Sequence, residues 1–389
     1  MSTVIPYGRQ SIDEADIASV VEVLRSAWLT QGPTIKRFEE QVAQYCGARY
    51  AVAVSNATAA LHLACLVLEL GPGDLLWTSP NTFVASANCA LYCGADVDFV
   101  DIDLRTLNMS VDHLAAKLET AERAGRLPKV VVPVHFAGQS CDMEALHALS
   151  RRYGFALLED ASHAIGGRYQ GAPVGNCRYA DATVFSFHPV KIVTTGEGGM
   201  VLTNREDLYQ ALLRFRSHGI TRDPQQLQGE VDGPWSYQQL DLGFNYRMTD
   251  MQAALGASQM RRVDEFVARR QVLVERYGRA FAALPLKMPA QMSDAAPAWH
   301  LQVVMLDDAS WRRPMYDSLH KQGILANVHY QPVYLQPYYQ ARGFESGYCP
   351  NAEHYYDRAL SLPLFPSMSD DDFETVVAIF SNTLGEIAS

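Results

Sequence analysis

One lysine, Lys191, lies where a charged ammonium group is unexpected. The stretch ATVFSFHPVKIVTTGEGG (182–199) places it between a strand-like apolar run and a cluster of glycines. Burial among apolar residues lowers the pKa of a lysine, and the neutral amine can then attack a carbonyl to form a Schiff base. A surface lysine whose ammonium reaches solvent is the alternative. A Walker-type phosphate loop is excluded, because the glycines of such a loop precede the lysine, whereas here they follow it.

A second candidate, Asp160, ends the apolar stretch FALLED (155–160). A carboxylate at the end of a strand could bind a metal ion, hold the ribose of a nucleotide, or pair with a protonated pyridine nitrogen. It could equally cap a helix. His163 follows three residues later and, taken singly, is interpreted as a core histidine. The residues themselves leave these alternatives open.

A third candidate is the junction VSNATAALH (54–62), where a strand gives way to a helix at Asn56, Ala57 and Thr58. Free backbone amides at the positive end of a helix dipole suit a phosphate group. A plain helix N-cap is the equally simple interpretation. Phe83 lies at another such junction, where its ring could stack on a flat ligand or pack in the core.

The pattern of elements predicts an α/β fold. Short apolar runs such as YAVAVS (50–55), LLWTS (75–79) and KVVVPVHF (129–136) alternate with helical patterns, which indicates a mainly parallel sheet covered by helices. Ligands of such sheets bind at the carboxyl ends of the strands. The alternation stops near residue 248, so we expect a large domain (1–247, with the N-terminal segment) and a smaller α+β C-terminal domain (248–389).

Three helix ends are predicted from local signals. A capping box is expected at Ser11 to Glu14 and another at Ser369 to Asp372, while the helix that follows Asn56 is expected to be closed by Gly71.

Composition excludes several classes of protein. The chain has 389 residues and a net charge of -11, which argues against sequence-independent binding of nucleic acid. We find neither a signal-peptide pattern at the start nor an apolar run of about 18 residues, so a cytoplasmic protein that does not enter a membrane is expected. The seven cysteines form no zinc-binding pattern and are predicted to be free thiols, with no metal.

Taken together, the motifs resemble the DegT/DnrJ/StrS family of sugar-nucleotide aminotransferases, which use pyridoxal 5′-phosphate. The resemblance spans nearly the whole chain and implies the aspartate-aminotransferase (type I) fold. It rests on LTQGP (29–33), SNATAALH (55–62), TFVASAN (82–88), EDASHAIG (159–166), SFHPVK (186–191) with GEGG (196–199), and FNYRMTDMQAALG (244–256).

The resemblance also implies roles for individual residues. Lys191 would be the catalytic lysine that forms the Schiff base with the cofactor, and Asp160 would pair with its pyridine nitrogen. Ser186 would join the three residues of the 56–58 junction at the phosphate, while Phe83 would stack on the ring with His163 nearby. Asn245 would reach the phosphate from a neighbouring subunit, which implies a homodimer with shared active sites.

A closer resemblance, through FRSHGI (215–220) and GILANVHYQPVYLQPYY (323–339), is to the branch of this family in pseudaminic acid biosynthesis. It implies transfer of an amino group from L-glutamate to a UDP-linked 4-keto-6-deoxy-N-acetyl-hexosamine, giving UDP-4-amino-4,6-dideoxy-N-acetyl-β-L-altrosamine and 2-oxoglutarate. The substrate contacts implied are Tyr7, Ala27, Trp28, Leu29, Thr30, Val328, His329, Tyr330 and Gln331. His188 could face the sugar or pack in its turn, and His329 is a candidate for binding the anionic nucleotide.

Two other functions stay open at this point. One is an aminotransferase for another nucleotide keto sugar, linked to GDP or dTDP. The other is a regulatory protein that binds pyridoxal phosphate without turnover. A dehydratase branch that replaces the lysine by histidine is excluded by Lys191.

Overall fold

The computed structural model describes residues 4–389. The strands are β1 (Ile5–Pro6), β2 (Tyr50–Val54), β3 (Leu75–Thr78), β4 (Asp96–Phe99), β5 (Val130–Val132), β6 (Ala156–Asp160), β7 (Arg168–Tyr169), β8 (Ala172–Pro173), β9 (Ala182–Ser186), β10 (Gly199–Thr203), β11 (Ile220–Thr221), β12 (Gln238–Gln239), β13 (Leu286–Lys287), β14 (Ala295–Ala296), β15 (Gln302–Leu306), β16 (Ile324–Leu325) and β17 (Ala359–Leu362). The α-helices are α1 (Glu14–Leu24), α2 (Pro33–Cys46), α3 (Ala57–Val67), α4 (Ala85–Tyr92), α5 (Val111–Arg123), α6 (Met143–Tyr153), α7 (Glu206–Arg216), α8 (Asp250–Gln259), α9 (Val263–Ala280), α10 (Arg312–Lys321), α11 (Pro337–Gln340), α12 (Pro350–Tyr356) and α13 (Asp370–Ala388).

The central sheet has seven strands in the order β2-β10-β9-β6-β5-β3-β4. Strand β10 runs antiparallel to both of its neighbours, and the other adjacent pairs are parallel. Every residue of β9 and β10 is buried, as expected for strands covered by helices on both faces. The predicted α/β fold with a mainly parallel sheet is confirmed.

The sheet brings the candidate residues to one edge. Strands β2, β6 and β9 run in the same direction, and they end at Val54, Asp160 and Ser186. Because the following loops leave from the same edge, the side chains predicted to do chemistry meet there.

The C-terminal part contains a smaller antiparallel sheet, β13-β15-β17, with α10 and α13 packed beside it. Strand β1 pairs in parallel with β16, which joins the N-terminal segment to this part of the chain. Helix α8 packs on α1 and α2. The domain boundary near residue 248 stays a prediction.

Two of the three predicted helix ends are wrong. Helix α1 has its capping box at Asp13 and Asp16, whose side chains and backbone amides bond reciprocally, rather than at Ser11 and Glu14. Helix α3 ends at Val67. Glu69, with a φ of 61°, adopts the left-handed conformation after the helix, so Gly71 does not close it. The capping box at the start of α13 is confirmed.

The described residues contain neither a candidate membrane span nor a cluster of metal-binding side chains. Between residues 4 and 389, no helix is long and apolar enough to cross a membrane. Within the same range, no three His, Cys, Asp or Glu side chains are arranged to hold a metal ion. All seven cysteines are free, and only Cys93 is partly exposed.

Candidate active site

A cavity of about 1200 Å³ opens at the carboxyl edge of the central sheet. It brings together most of the predicted site residues. These are Tyr7, Asn56, Ala57, Thr58, Phe83, Asp160, His163, Ser186, His188, Lys191, Val328, His329, Tyr330 and Gln331.

Lys191 lies in the loop after β9, on the wall of this cavity. Its backbone N–H donates to the carbonyl of His188, 2.9 Å away, which closes a turn and holds the side chain over the end of the strand. Burial lowers the pKa of Lys191 to about 8, while the nearby charge of Asp160 opposes that shift. A substantial fraction of neutral amine is therefore present at mildly basic pH, as a nucleophile toward a carbonyl requires.

Asp160 is buried at the end of β6 with its carboxylate held by two donors. Its Oδ2 accepts a hydrogen bond from the Ser86 hydroxyl at 2.6 Å, and its Oδ1 accepts one from the Ser162 backbone N–H at 3.1 Å. The Ser86 hydroxyl also contacts the Thr82 hydroxyl at 2.8 Å. A fixed carboxylate in this position can hold a protonated nitrogen of a ligand in the cavity.

The start of α3 forms the opposite wall. Asn56 is the N-cap, and its Oδ1 accepts from the backbone N–H of Ala59 at 2.8 Å, so the capping interpretation is correct. The backbone N–H groups of Ala57 and Thr58 have no carbonyl partner inside the helix and can still bind an anion. Ser186, at the end of β9, also lines the cavity and pairs with Gly199 of β10.

Gly199 is the residue that allows strand and helix to approach here. A Cβ at this position would lie 2.5 Å from the carbonyl oxygen of Asn56 and 2.6 Å from the backbone nitrogen of Ala57. No side chain larger than hydrogen fits without moving the start of α3.

Three buried imidazoles stand around Lys191. The ring of His163 lies 4.5 Å from that of His300, and its Nε2 is 3.4 Å from the hydroxyl of Tyr330. Burial, followed by the charge of Lys191, lowers the pKa of both His163 and His300 well below the usual value. Burial also lowers the pKa of His329 to about 3. A neutral His329 could contact the nucleotide through a hydrogen bond rather than through charge, and its role in binding stays a prediction.

Five predicted residues do not line the cavity of this chain. Asn245 pairs with Ser217 in an isolated β-bridge, and Thr30 pairs in the same way with Thr249. Trp28 and Leu29 are exposed, and Ala27 lies beside them in the same loop. Tyr246, next to Asn245, lines the cavity instead.

Two residues in or beside the cavity were missed by sequence reasoning: Ser86 lines it, and the ring of His300 lies against His163. The polar Ser86 within the apolar start of α4 was a usable signal, because a buried hydroxyl needs a partner. His300 carried no local signal, since its contact with His163 joins segments far apart in sequence.

The donor set fits pyridoxal phosphate. The amine of Lys191, the held carboxylate of Asp160, the free amides at the start of α3 and the exposed ring of Phe83 match an aldehyde, a pyridine nitrogen, a phosphate and a flat ring, respectively. Gly199, which pairs with Ser186, lets the start of α3 approach the end of β9 closely.

Comparisons with known proteins agree with this chemistry. Residues 10–381 match the DegT/DnrJ/EryC1/StrS aminotransferase family. The chain is 41% identical to the spore coat polysaccharide biosynthesis protein SpsC of Bacillus subtilis over 96% of this chain and 95% of that protein.

Two solved structures share the whole fold. Spr1654 of Streptococcus pneumoniae, assigned as a sugar aminotransferase and solved in its pyridoxamine phosphate form, has a TM-score of 0.89 and 31% identity over 98% of this chain and all of that one. Helicobacter pylori PseC, an aminotransferase of pseudaminic acid biosynthesis, has a TM-score of 0.89 and 30% identity over 99% of this chain and all of that one.

Proposed function

The chain belongs to the DegT/DnrJ/EryC1/StrS aminotransferase family, and we propose that it transfers the amino group of L-glutamate to the C4 carbon of a UDP-linked 4-keto-6-deoxy-N-acetyl-hexosamine. The enzyme is a sugar aminotransferase that uses pyridoxal phosphate and has the type I fold. The products of the proposed reaction are UDP-4-amino-4,6-dideoxy-N-acetyl-β-L-altrosamine and 2-oxoglutarate.

The observation that carries the proposal is the placement of Lys191 and Asp160 on the walls of one cavity, with the start of α3 beside them. When bound, pyridoxal phosphate supplies an electron sink for the carbon that loses or gains a proton. Asp160 would hold the proton on the ring nitrogen, and the first turn of α3 with Ser186 would bind the phosphate.

Lys191 would act twice. Its Nζ would hold the cofactor at the aldehyde, and as a free amine it would accept a proton and return it during the transfer. A pKa of about 8 suits both roles, because the amine can accept and release a proton near neutral pH.

The nucleotide sugar would bind at the mouth of the cavity, against Tyr7, Tyr330 and the segment Val328–Gln331. Tyr7 and His329 lie with their ring centroids 5.1 Å apart. His188, partly exposed on the cavity wall, is placed where it could face the sugar. Likeness to PseC, together with the 323–339 motif, favours a UDP-linked 4-keto sugar.

A second subunit would complete the site. Of the described residues that line the cavity, Lys191 is the only lysine or arginine, yet the glutamate carboxylates and the nucleotide diphosphate are anionic. Asn245 and the loop Ala27–Thr30 would reach the cavity of the other subunit. Trp235 and Leu242 are 71% and 82% exposed near Asn245, and burial in a homodimer interface would remove this apolar surface from water.

The test is a panel of UDP-, GDP- and dTDP-linked keto sugars, each at the same concentration with L-glutamate, followed by identification of the product. We expect the UDP-linked 4-keto sugar to be preferred and to give the 4-amino product. Preference for a GDP- or dTDP-linked sugar would contradict the substrate assignment. The cytoplasmic location stays a prediction.

A further inference from the structure

Arg270 of α9 is a buried cation behind the candidate site. It is 1% exposed, and its Nη1 donates to the carbonyl oxygens of Trp299, His300 and Leu364 at 3.3, 3.2 and 2.9 Å. Its Nε has no hydrogen-bond partner in the described chain. The hydrogen bonds of its Nη1 go to carbonyl oxygens rather than to a carboxylate. A buried guanidinium without an opposite charge is costly, so its position calls for an explanation.

The segments that Arg270 joins lead to the cavity. His300 donates its backbone N–H to the carbonyl of Ala137 at 2.8 Å, and its ring lies against His163 on the cavity wall. Leu364 donates its backbone N–H to the carbonyl of Tyr7, also on the cavity wall, at 2.9 Å. One guanidinium thus fixes the main chain behind both His163 and Tyr7.

The surroundings of the two histidines are short of negative charge. The groups that face His163 and His300 are Lys191, His329, Tyr330 and Arg270. Two carboxylates line this cavity, Asp160 and Glu197, and Asp160 accepts hydrogen bonds from Ser86 and Ser162 rather than from either histidine. The Nδ1 atoms of both histidines are buried and have no partner in the described chain. A proton on His300 would therefore place two unscreened cations side by side.

We propose that Arg270 is a positioning residue of this site: it fixes the main chain of His300 and Leu364, and its charge adds to burial and to the charge of Lys191 in keeping His300 free of protons. The inference rests on the proposed use of Lys191 as the group that moves the proton. With the histidine pair neutral, Lys191 alone of these groups exchanges a proton near neutral pH, and His163 presents an uncharged ring to the cofactor.

The test compares Arg270→Lys, which keeps the charge, with Arg270→Gln, which removes it but keeps donors for the carbonyls. Histidine resonances are followed from pH 8 to 5.5 in full-length holoenzyme labelled with ¹³C at histidine Cε1, with His163→Asn and His300→Asn for assignment. Neither resonance should titrate in the wild type or in Arg270→Lys. In Arg270→Gln, the loss of this charge should let His300 begin to titrate at the acid end of the range, and the acid limb of the glutamate half-reaction should move to higher pH.

Two results would overturn the proposal. One is an Arg270→Gln protein whose histidine titration and pH profile match the wild type and whose melting temperature alone is changed. That result would show a purely structural role for Arg270. The other is titration of His300 above pH 6 in the wild type, which stays measurable even when Arg270→Gln does not fold. Failure of the sugar assignment would not affect either measurement, because neither uses a sugar.

Discussion

At the scale of single residues, the proposed chemistry depends on Lys191 as an amine that loses its proton at mildly basic pH. Its lowered pKa follows from burial, which disfavours the ammonium form, and the opposing charge of Asp160 limits the shift. An apolar stretch of sequence around a lysine therefore favours the neutral amine that this chemistry needs.

The first prediction is that Lys191→Ala loses turnover by about 100-fold or more, because the group that moves the proton is gone. It should still bind pyridoxamine phosphate. The measurement is the rate of the half-reaction with glutamate, followed by the absorbance of the cofactor. Lys36→Ala, on the exposed face of α2, is the matched control and should keep the wild-type rate. A comparable rate in Lys191→Ala would refute the role.

The second prediction concerns pH. The folded pKa of Lys191 lies below its ordinary value, so the neutral amine is gained as pH rises through about 8. Binding of pyridoxal phosphate by the cofactor-free protein should accelerate from pH 7 to about 9 and then level off. Stopped-flow absorbance measures this rate. A profile that keeps rising to pH 10.5 would show an unperturbed lysine.

The third prediction is that Asp160→Ala retains the cofactor less well and slows the chemical step, since the partner of the ring nitrogen is lost. Dialysis followed by cofactor quantification, together with the half-reaction rate, measures both effects. Asp264→Ala, whose carboxylate accepts from Tyr45 away from the cavity, is the control. Unchanged retention and rate would point to another partner.

At the scale of elements, the phosphate site depends on how closely β10 lies to the start of α3. The fourth prediction is that Gly199→Ala pushes the first turn of α3 away and weakens binding of pyridoxal phosphate by about tenfold or more, with a loss of about 1–3 kcal/mol in folding free energy. Gly71→Ala is the control, because a Cβ there meets nothing within 4 Å. Equal affinity of both variants for pyridoxal phosphate would contradict the dependence of the phosphate site on this close approach.

Much at this scale was predictable from sequence. The strands and the gathering of Lys191, Asp160 and Asn56 at one edge followed from the alternation of elements, because parallel strands place their carboxyl ends together. The first capping box was placed at the wrong residues, because Ser11 and Asp13 are both good N-cap residues. Contacts made in the folded chain decide between them. The Arg270–His300–His163 arrangement joins distant segments, so no local pattern announces it.

At the scale of the whole molecule, the cavity of one chain does not gather every predicted site residue. Asn245 and the loop Ala27–Thr30 lie outside the cavity of their own chain, and the lining has one cationic side chain among the described residues. A homodimer in which each subunit completes the site of the other would account for both facts.

The fifth prediction tests this sharing of sites. Lys191→Ala and Asn245→Ala should each be impaired alone, and mixing them under conditions that exchange subunits should restore activity. A mixed dimer holds one site with both native residues, so up to about one quarter of the wild-type sites should return at random equimolar pairing. A mixture that is no more active than the mean of its parts would place Asn245 and Lys191 in one chain.

The central claim is that Lys191, and no other lysine, holds the cofactor. Sodium borohydride reduction of the holoenzyme, followed by digestion and peptide mass spectrometry, traps the cofactor on the lysine that carries it. The account predicts that the peptide containing residues 182–199 gains the mass of the reduced cofactor at Lys191. Labelling of any of the other five lysines, with Lys191 unmodified, would contradict it.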